Sequence, residues 1–268
     1  MRTVELGLRE RVCVVSGASR GIGRATAVAL AAEGAAVVVV GRREAAVAEV
    51  ADSCRRSGSH AEALTLDVTD RDAGERIVSA CLDRFGRIDA LINNAGTSSA
   101  TPLPELTDED WQTQWDLHVM APMRLMRAVA PHMAQRAWGR IVNISSSSGK
   151  RPGQRNIAYS VTKAAELSLS RAFADFYAKS GVLINAITPG PVASELWVGP
   201  GGLADQVAAA RGVSREEVLE STAAGVPVGR LGSVEEIARV IVFLCSEAAS
   251  FVTGAAWSVD GGLVPVII

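Results

Sequence analysis

Short runs of β-branched and other apolar residues alternate along the chain with longer segments whose apolar positions recur at helical spacing. The runs predict strands at Val12–Ser16, Ala36–Val40, Ala63–Leu66, Ala90–Ile92, Arg140–Ile144, Leu183–Ile187 and Ala255–Val259. The segments between them predict helices at Ile22–Glu33, Arg43–Arg56, Arg71–Phe85, Asp108–Gln135, Ala158–Ser180 and Val234–Cys245. The first three strands are apolar with little alternation, as strands are when helices cover both faces of a sheet. Repeated strand–helix–strand units with short links imply an α/β chain with a doubly wound parallel sheet. No linker, low-complexity tract or internal repeat interrupts the rhythm, so residues 1–268 are expected to form a single domain. Two stretches break it: Thr97–Thr107, rich in Ser, Thr and Pro, and Pro189–Gly212, rich in Gly and Pro. Ligands bind outside the carboxyl ends of the strands in such sheets, and irregular loops belong there.

Composition narrows the function. Hydrophobic residues make up 48% and charged residues 21% of 268 residues, with a net charge of −2 and both signs mixed along the chain. Such a surface has no field to attract nucleic acid or an anionic membrane, and neither partner is expected. Cys13, Cys54, Cys81 and Cys245 are dispersed without a CxxC pair, which reads as small buried hydrophobes in a reducing cytoplasm. His60, His118 and His132 lack metal-site spacing, so no metal is expected. The first ten residues are too polar for a signal peptide, and apolar stretches fall short of the ~20 residues that span a bilayer. A soluble, cytoplasmic protein is the expectation.

The first predicted strand runs directly into Ser16-Gly17-Ala18-Ser19-Arg20-Gly21-Ile22-Gly23, and a helix follows at once. Glycines in such a turn permit positive φ, let the backbone approach a pyrophosphate and let the helix pack closely on its strand. Free N–H groups and the dipole at the helix start favour the anion. Gly17, Ser19, Arg20, Gly21, Ile22 and Gly23 are therefore candidates to hold a dinucleotide in a Rossmann-type fold, with GxxxGxG spacing instead of the GxGxxG of long-chain dehydrogenases. An acid ending the second strand would accept hydrogen bonds from a ribose 2′-hydroxyl. This chain has Gly41-Arg42-Arg43 there, with Arg20 nearby in the first turn. Guanidinium groups suit a phosphate dianion, so Arg42 and Arg43 predict NADP(H) as the preferred cofactor and NAD(H) as the alternative. The plainer reading, that both arginines only begin a solvated helix, stays open.

Hydride transfer to a carbonyl needs an acid for the oxygen, a group to tune that acid and a donor to fix the oxygen. Tyr159 and Lys163 stand four apart in Tyr159-Ser160-Val161-Thr162-Lys163, so a helix stacks them on one face. An ammonium beside a phenol favours the phenolate, which makes Tyr159 a candidate general acid for a ketone or base for an alcohol. Ser146 lies just past the strand Arg140–Ile144, where its hydroxyl can stabilise charge developing on the substrate oxygen. Each feature alone is common, and their conjunction with the glycine turn carries the reading.

With these motifs in place the sequence resembles the short-chain dehydrogenase/reductase family, in a form like the 3-oxoacyl-acyl-carrier-protein reductases, from about Arg11 to Gly262. The likeness is carried by SGASRGIG at 16–23, LDV at 66–68, NNAG at 93–96, the serine in NISSSSG, YSVTK at 159–163, NAITPGPV at 185–192 and VDGG at 259–262. It implies an NAD(P)-dependent oxidoreductase acting on a carbonyl or secondary alcohol. Asp67 and Val68 would then hold the adenine, and Asn94, Ala95 and Gly96 would border the adenosine ribose. Lys163, beside Tyr159, would grip the nicotinamide ribose. Pro189, Gly190 and Val192 would line the nicotinamide, with its carboxamide near Val192 and Ser194. The family's active serine stands three residues before a glycine, here Gly149, which selects Ser146 over Ser145. Two departures stand out. Ser16 replaces a threonine but keeps a hydroxyl. His118, in Trp111-Gln112-Thr113-Gln114-Trp115-Asp116-Leu117-His118, stands where the family has an asparagine that supports a water in the proton relay. His118 either serves that relay in its place or is a satisfied structural histidine.

The substrate pocket is expected between Thr97–Leu103, Gly149–Asn156 and the loop after Pro189, whose Leu196, Trp197, Val198 and glycines suit a lid. Lys150, Arg151, Gln154 and Arg155 either meet an acidic substrate or carrier-protein phosphopantetheine, or form a solvated loop. The apolar tail Leu263-Val264-Pro265-Val266-Ile267-Ile268 is expected against a neighbouring subunit, and the resemblance implies a homotetramer. The expected partner is a small-molecule carbonyl or alcohol, with ketone reduction favoured. Two rival classes share the frame. One is a catalytically silent NADP(H)-binding sensor, against which Ser146, Tyr159 and Lys163 argue. The other is an epimerase or dehydratase of a longer related family, against which chain length and the GxxxGxG spacing argue.

Overall fold

Each predicted strand and helix has its counterpart in the structure, a computed structural model that describes residues 5–98, 101–154 and 156–265. The chain runs β1 (Val12–Val15), α1 (Gly21–Ala32), β2 (Ala36–Gly41), α2 (Glu44–Arg56), β3 (Ala61–Thr65), α3 (Ala73–Phe85), β4 (Ala90–Asn93) and α4 (Asp108–Trp115). It continues through α5 (Ala121–Gln135), β5 (Gly139–Ile144), α6 (Ser147–Lys150), α7 (Ile157–Tyr177) and β6 (Val182–Pro189). The last part holds α8 (Glu195–Val198), α9 (Leu203–Arg211), α10 (Arg215–Ala224), α11 (Val234–Leu244) and β7 (Ala256–Val259). All seven strands pair in parallel in the order β3-β2-β1-β4-β5-β6-β7. The order reverses between β1 and β4, so a ligand crevice belongs outside their carboxyl ends.

Both faces of the sheet are covered, which is why β1 and β2 read as unbroken apolar runs. Cys13, Val15, Val37 and Val39 pack with Leu30 of α1, Val47 and Val50 of α2 and Ile241 of α11. Val12, Val14, Val38 and Val40 face the opposite way, onto Ile77 of α3 and Leu125, Val129 and Met133 of α5. The four cysteines are free and buried.

Two regions depart from the expectation. The helix read as Asp108–Gln135 is interrupted by a π turn at Asp116–Met120. Pro122 lacks the N–H that an unbroken α-helix would give the His118 carbonyl, and its ring crowds that oxygen; the wider turn relieves both. The stretch Pro189–Gly212, expected to be irregular, contains α8 and α9, with α10 following. Gly212 ends α9 in left-handed backbone, and Ser214 and Glu217 close a capping box that starts α10. Ala204, Ala208 and Val218 form a small core of their own, with Trp197 and Leu219 packed on it. At the C-terminus Val264 is buried within the chain and donates its N–H to Asp260, so this part of the tail is no free patch. Val266, Ile267 and Ile268 lie outside the described residues. Among the described residues no helix is long and apolar enough to cross a membrane.

Candidate active site

The turn after β1 is shaped by backbone. Gly17 (φ 62°) and Gly21 (φ 57°) take the left-handed conformation that glycine adopts without strain. A methyl group at Gly23 would overlap Asn94 Nδ2 and the Gly17 carbonyl oxygen. Asn94 ties the turn to β4: its Nδ2 donates to the Ser16 carbonyl (2.9 Å) and the Gly17 carbonyl (3.1 Å). The Ser16 hydroxyl accepts the N–H groups of Asn94 (3.0 Å) and Ala95 (3.1 Å) and donates to the Ile92 carbonyl. Serine thus makes every bond that a threonine hydroxyl would. No side chain caps the start of α1, so its first N–H groups remain open to an anion at the switch point. This cradle fits a pyrophosphate.

Ser19 lies against Gly41 at the end of β2, which sets exposed Arg20 near the exposed pair Arg42 and Arg43. Arg42 Nη1 is 3.7 Å from Asp67 Oδ2. Burial pushes the Asp67 carboxyl up, but hydrogen bonds from the Thr69 N–H and hydroxyl, with the Arg42 charge, hold it below the usual carboxylate range. Val68 is buried against the α3 side of the sheet, leaving Asp67 as the accessible member of the pair. Arg42 therefore stands beside an acid at the end of β2, next to the strand position that Ser19 of the glycine turn approaches.

Tyr159 and Lys163 lie on successive turns of α7. Lys163 Nζ donates to the Ile144 carbonyl at the end of β5 (2.8 Å) and to Glu166 Oε2 (2.8 Å). The Lys163 and Glu166 side chains are only 4% and 2% exposed. The ammonium stands 5.8 Å from the centroid of the Tyr159 ring. Tyr159 itself is half-buried and opens onto a cleft lined by Thr101, Leu106, Asp110, Gln114 and Asn156.

His118 meets that ring edge-on, with centroids 5.3 Å apart. Its Nε2 accepts the Thr97 N–H (3.2 Å), so the ring proton sits on Nδ1 and is donated to Thr162 Oγ1 (3.0 Å). Thr162 in turn donates to the Tyr159 carbonyl (2.9 Å). Burial, then the Lys163 charge, pushes the imidazole down to about 2, which keeps it neutral. Both nitrogens are engaged by protein groups, an arrangement that fits a brace for Tyr159 and leaves neither nitrogen for a relay water.

The adjacent serines differ. The Ser145 hydroxyl donates to the Lys163 carbonyl (2.8 Å). Ser146 caps α6 and its oxygen accepts the Ser148 N–H (3.1 Å), so its own proton remains to be donated. The end of β6 closes the site. Pro189 pairs with Val259, the Gly190 N–H donates to the Val259 carbonyl (3.2 Å), and Val192 bridges to Gly232. The chain then crosses the switch point, bringing Ser194 and Glu195 over Gly21.

Some expected positions lie elsewhere. Lys150 donates to the Ala256 carbonyl (2.6 Å) and Ser258 (2.9 Å), fastening α6 to β7 and leaving the site. Trp197 turns into the small core with Ala204 and Ala208. Ser99, Ala100 and Arg155 lie outside the described residues. Among the described residues no cluster of His, Cys, Asp or Glu converges as a metal site. Glu166 was not singled out from sequence; the signal for it was an acid three residues after Lys163 on the buried helix face.

Comparison with known proteins agrees with this geometry. A family profile described as enoyl-(acyl carrier protein) reductase matches residues 17–264. The short-chain reductase protein NovJ of Streptomyces niveus is 37% identical over 255 residues, covering 95% of this chain and 94% of the relative. A 3-oxoacyl-(acyl-carrier-protein) reductase of Synechocystis sp. is 36% identical over 261 residues, covering 96% and 98%. The structure of L-sorbose reductase from Gluconobacter frateurii, complexed with NADPH and L-sorbose, superposes with a TM-score of 0.92 at 34% identity, covering 98% of this chain and all of that one. Seven parallel strands, the glycine turn, the paired Tyr159 and Lys163 and these likenesses together place the chain in the short-chain dehydrogenase/reductase family of oxidoreductases.

Proposed function

We propose that the chain is an NADP(H)-dependent ketone reductase, running in reverse as a secondary-alcohol dehydrogenase, with residues 1–268 acting as one nucleotide-binding and catalytic domain. The observation that carries this reading is a buried ammonium, Lys163, behind a half-exposed phenol, Tyr159, at the wall of a cleft. Tyr159 gives its proton to the substrate oxygen as charge develops there, and takes it back in the oxidation direction. Ser146 donates its remaining hydroxyl proton to the same oxygen. Lys163 has one N–H left after Ile144 and Glu166, and it orients the nicotinamide ribose. His118 braces the tyrosine ring edge-on.

For the cofactor, Gly17, Ser19, Arg20, Gly21, Ile22 and Gly23 cradle the pyrophosphate, and Arg42 and Arg43 take the 2′-phosphate that an acid would repel. Asp67 and Val68 border the adenine, and Asn94, Ala95 and Gly96 the adenosine ribose. Pro189, Gly190, Val192 and Ser194 border the nicotinamide. Bound NADPH supplies the hydride. The L-sorbose reductase with NADPH and its ketose, at TM-score 0.92, supports both the cofactor and a small carbonyl substrate. Exposed Phe176 and Phe251 support burial between subunits, in a homotetramer. Four free buried thiols support a reducing, cytoplasmic setting. Turnover of a carbonyl panel, followed by nicotinamide absorbance, tests the reading. Tyr159→Phe is expected to lower kcat/KM at least about a hundredfold, and unchanged turnover overturns it.

A further inference from the structure

We infer that Glu166 is a positioning residue of this active site: its carboxylate fixes the Lys163 ammonium and sets how much of that charge reaches Tyr159. This rests on the reading of Tyr159 and Lys163 given above. Two charges this deeply buried do not gain a helix stability, since desolvation offsets their attraction and apolar side chains of like volume pack as well. The pair stands where charge matters instead. Lys163 Nζ is held on one side by the Ile144 carbonyl and on another by Glu166, each at 2.8 Å, which fixes where its third N–H points. The same ammonium is 5.8 Å from the Tyr159 ring centroid, so an opposite charge at 2.8 Å from it offsets much of its field at the phenol.

Among the described residues, Glu166 is the acid that pairs with the Lys163 ammonium. On the elements packed against α7, His118 is neutral, and Lys150 of α6 is bound to Ala256 and Ser258. Arg140 of β5 reaches back to Ser246 and Glu247, Asp110 of α4 is held by Thr107, and Arg124 of α5 reaches Thr69. β6 carries no ionisable side chain. Burial pushes the Glu166 carboxyl up to about 7, against the pull of Lys163. It is therefore ionised throughout the alkaline range in which a phenol gives up its proton.

The chain has only two tyrosines, and Tyr177 packs on Phe173 and Phe176 away from the site. In a Tyr177→Phe background the ultraviolet absorbance of tyrosinate therefore reports Tyr159 alone, in protein free of nucleotide and without turnover. Glu166→Gln keeps an acceptor for Lys163 but removes the charge. Tyrosinate should then form about 0.5–1 pH unit lower, and the alkaline limb of ketone reduction should move down with it. Nucleotide KM should stay within about twofold, because the amide oxygen still accepts from the ammonium. Glu166→Asp should return the titration toward the parent. A Gln variant that titrates within about 0.2 unit of the parent overturns the inference. Should that variant not fold, Lys163→Met with Glu166→Met removes both charges together. Tyrosinate forming within about a unit of the parent then supports offsetting charges, and formation about two or more units higher overturns them. Full activity of Tyr159→Phe would sink the functional reading while leaving this titration intact, so the two failures are distinct.

Discussion

Two walls close the carboxyl end of the sheet, and they are held by different means. The glycine turn between β1 and α1 keeps its shape through carbonyls tied to Asn94, a Ser16 hydroxyl shared by two N–H groups, and contacts too close for a methyl. The segment after β6 is held by side chains, on a satellite core of Ala204, Ala208 and Val218 separate from the two that flank the sheet. Units with few buried apolar contacts open at low free energy, whereas those fastened to central strands open with the whole fold. The wall that the proposed function gives to nucleotide is thus preformed, and the one it gives to substrate is free to adjust.

The sharpest way to break this contrast is Gly23→Ala. The added methyl has nowhere to go, and it should cost about 3 kcal/mol of stability in denaturant unfolding and weaken NADPH binding at least about tenfold. Parent-like values would mean that the turn has slack. Next comes His118, which stands beside Gly96 and Thr97 after β4. Its folded-state pKa lies far below the ordinary ~6.5, so the unfolded chain takes up the proton first, and folding loses stability as pH falls below that value. The stability gap between the parent and His118→Asn should narrow by about 2 kcal/mol from pH 7 to pH 5. Parallel curves would show the imidazole is not held neutral. Glu166 acts in the opposite sense over part of this range, because its raised pKa favours folding as pH falls from about 7. It is common to both proteins and drops out of the difference.

Arg42→Ala probes the rim of the nucleotide wall. kcat/KM with NADPH should fall about tenfold, with NADH little changed; equal loss with both would leave Arg42 as a solvated side chain paired to Asp67. Ser214→Ala touches only the substrate wall. Removing this cap should raise amide exchange in α10 about fivefold, with global stability within about 0.5 kcal/mol. A full loss of cooperativity would mean that the two walls unfold together.

Much of this was legible beforehand. β1 and β2 were plain because burial on both faces leaves little room for polar residues, whereas β3, at the sheet edge with Glu62 half-exposed, begins two residues before the expected Ala63. The glycine turn and the Tyr159–Lys163 spacing were readable because each depends on local geometry. What escaped depends on contacts across the chain. The π turn was hidden inside a helical pattern, although Pro122 marked it. α9 and α10 were masked by neighbouring glycines and prolines, although Gly212 and the Ser214–Glu217 pair were their punctuation. That both His118 nitrogens are engaged needed Thr97 and Thr162 brought together in space.

The π turn gives the long helical segment a phase offset. One residue amounts to about 100° of rotation around a helix axis, so α4 and α5 are indexed separately. α4 can therefore present Asp110 and Gln114 to the cleft while α5 buries Leu125, Val129 and Met133 against the sheet. Removing any one residue between Asp116 and Met120 would leave the apolar face of α5 in register and swing the polar wall of the cleft away. The length of that turn, rather than its side chains alone, keeps the cleft aligned with the core.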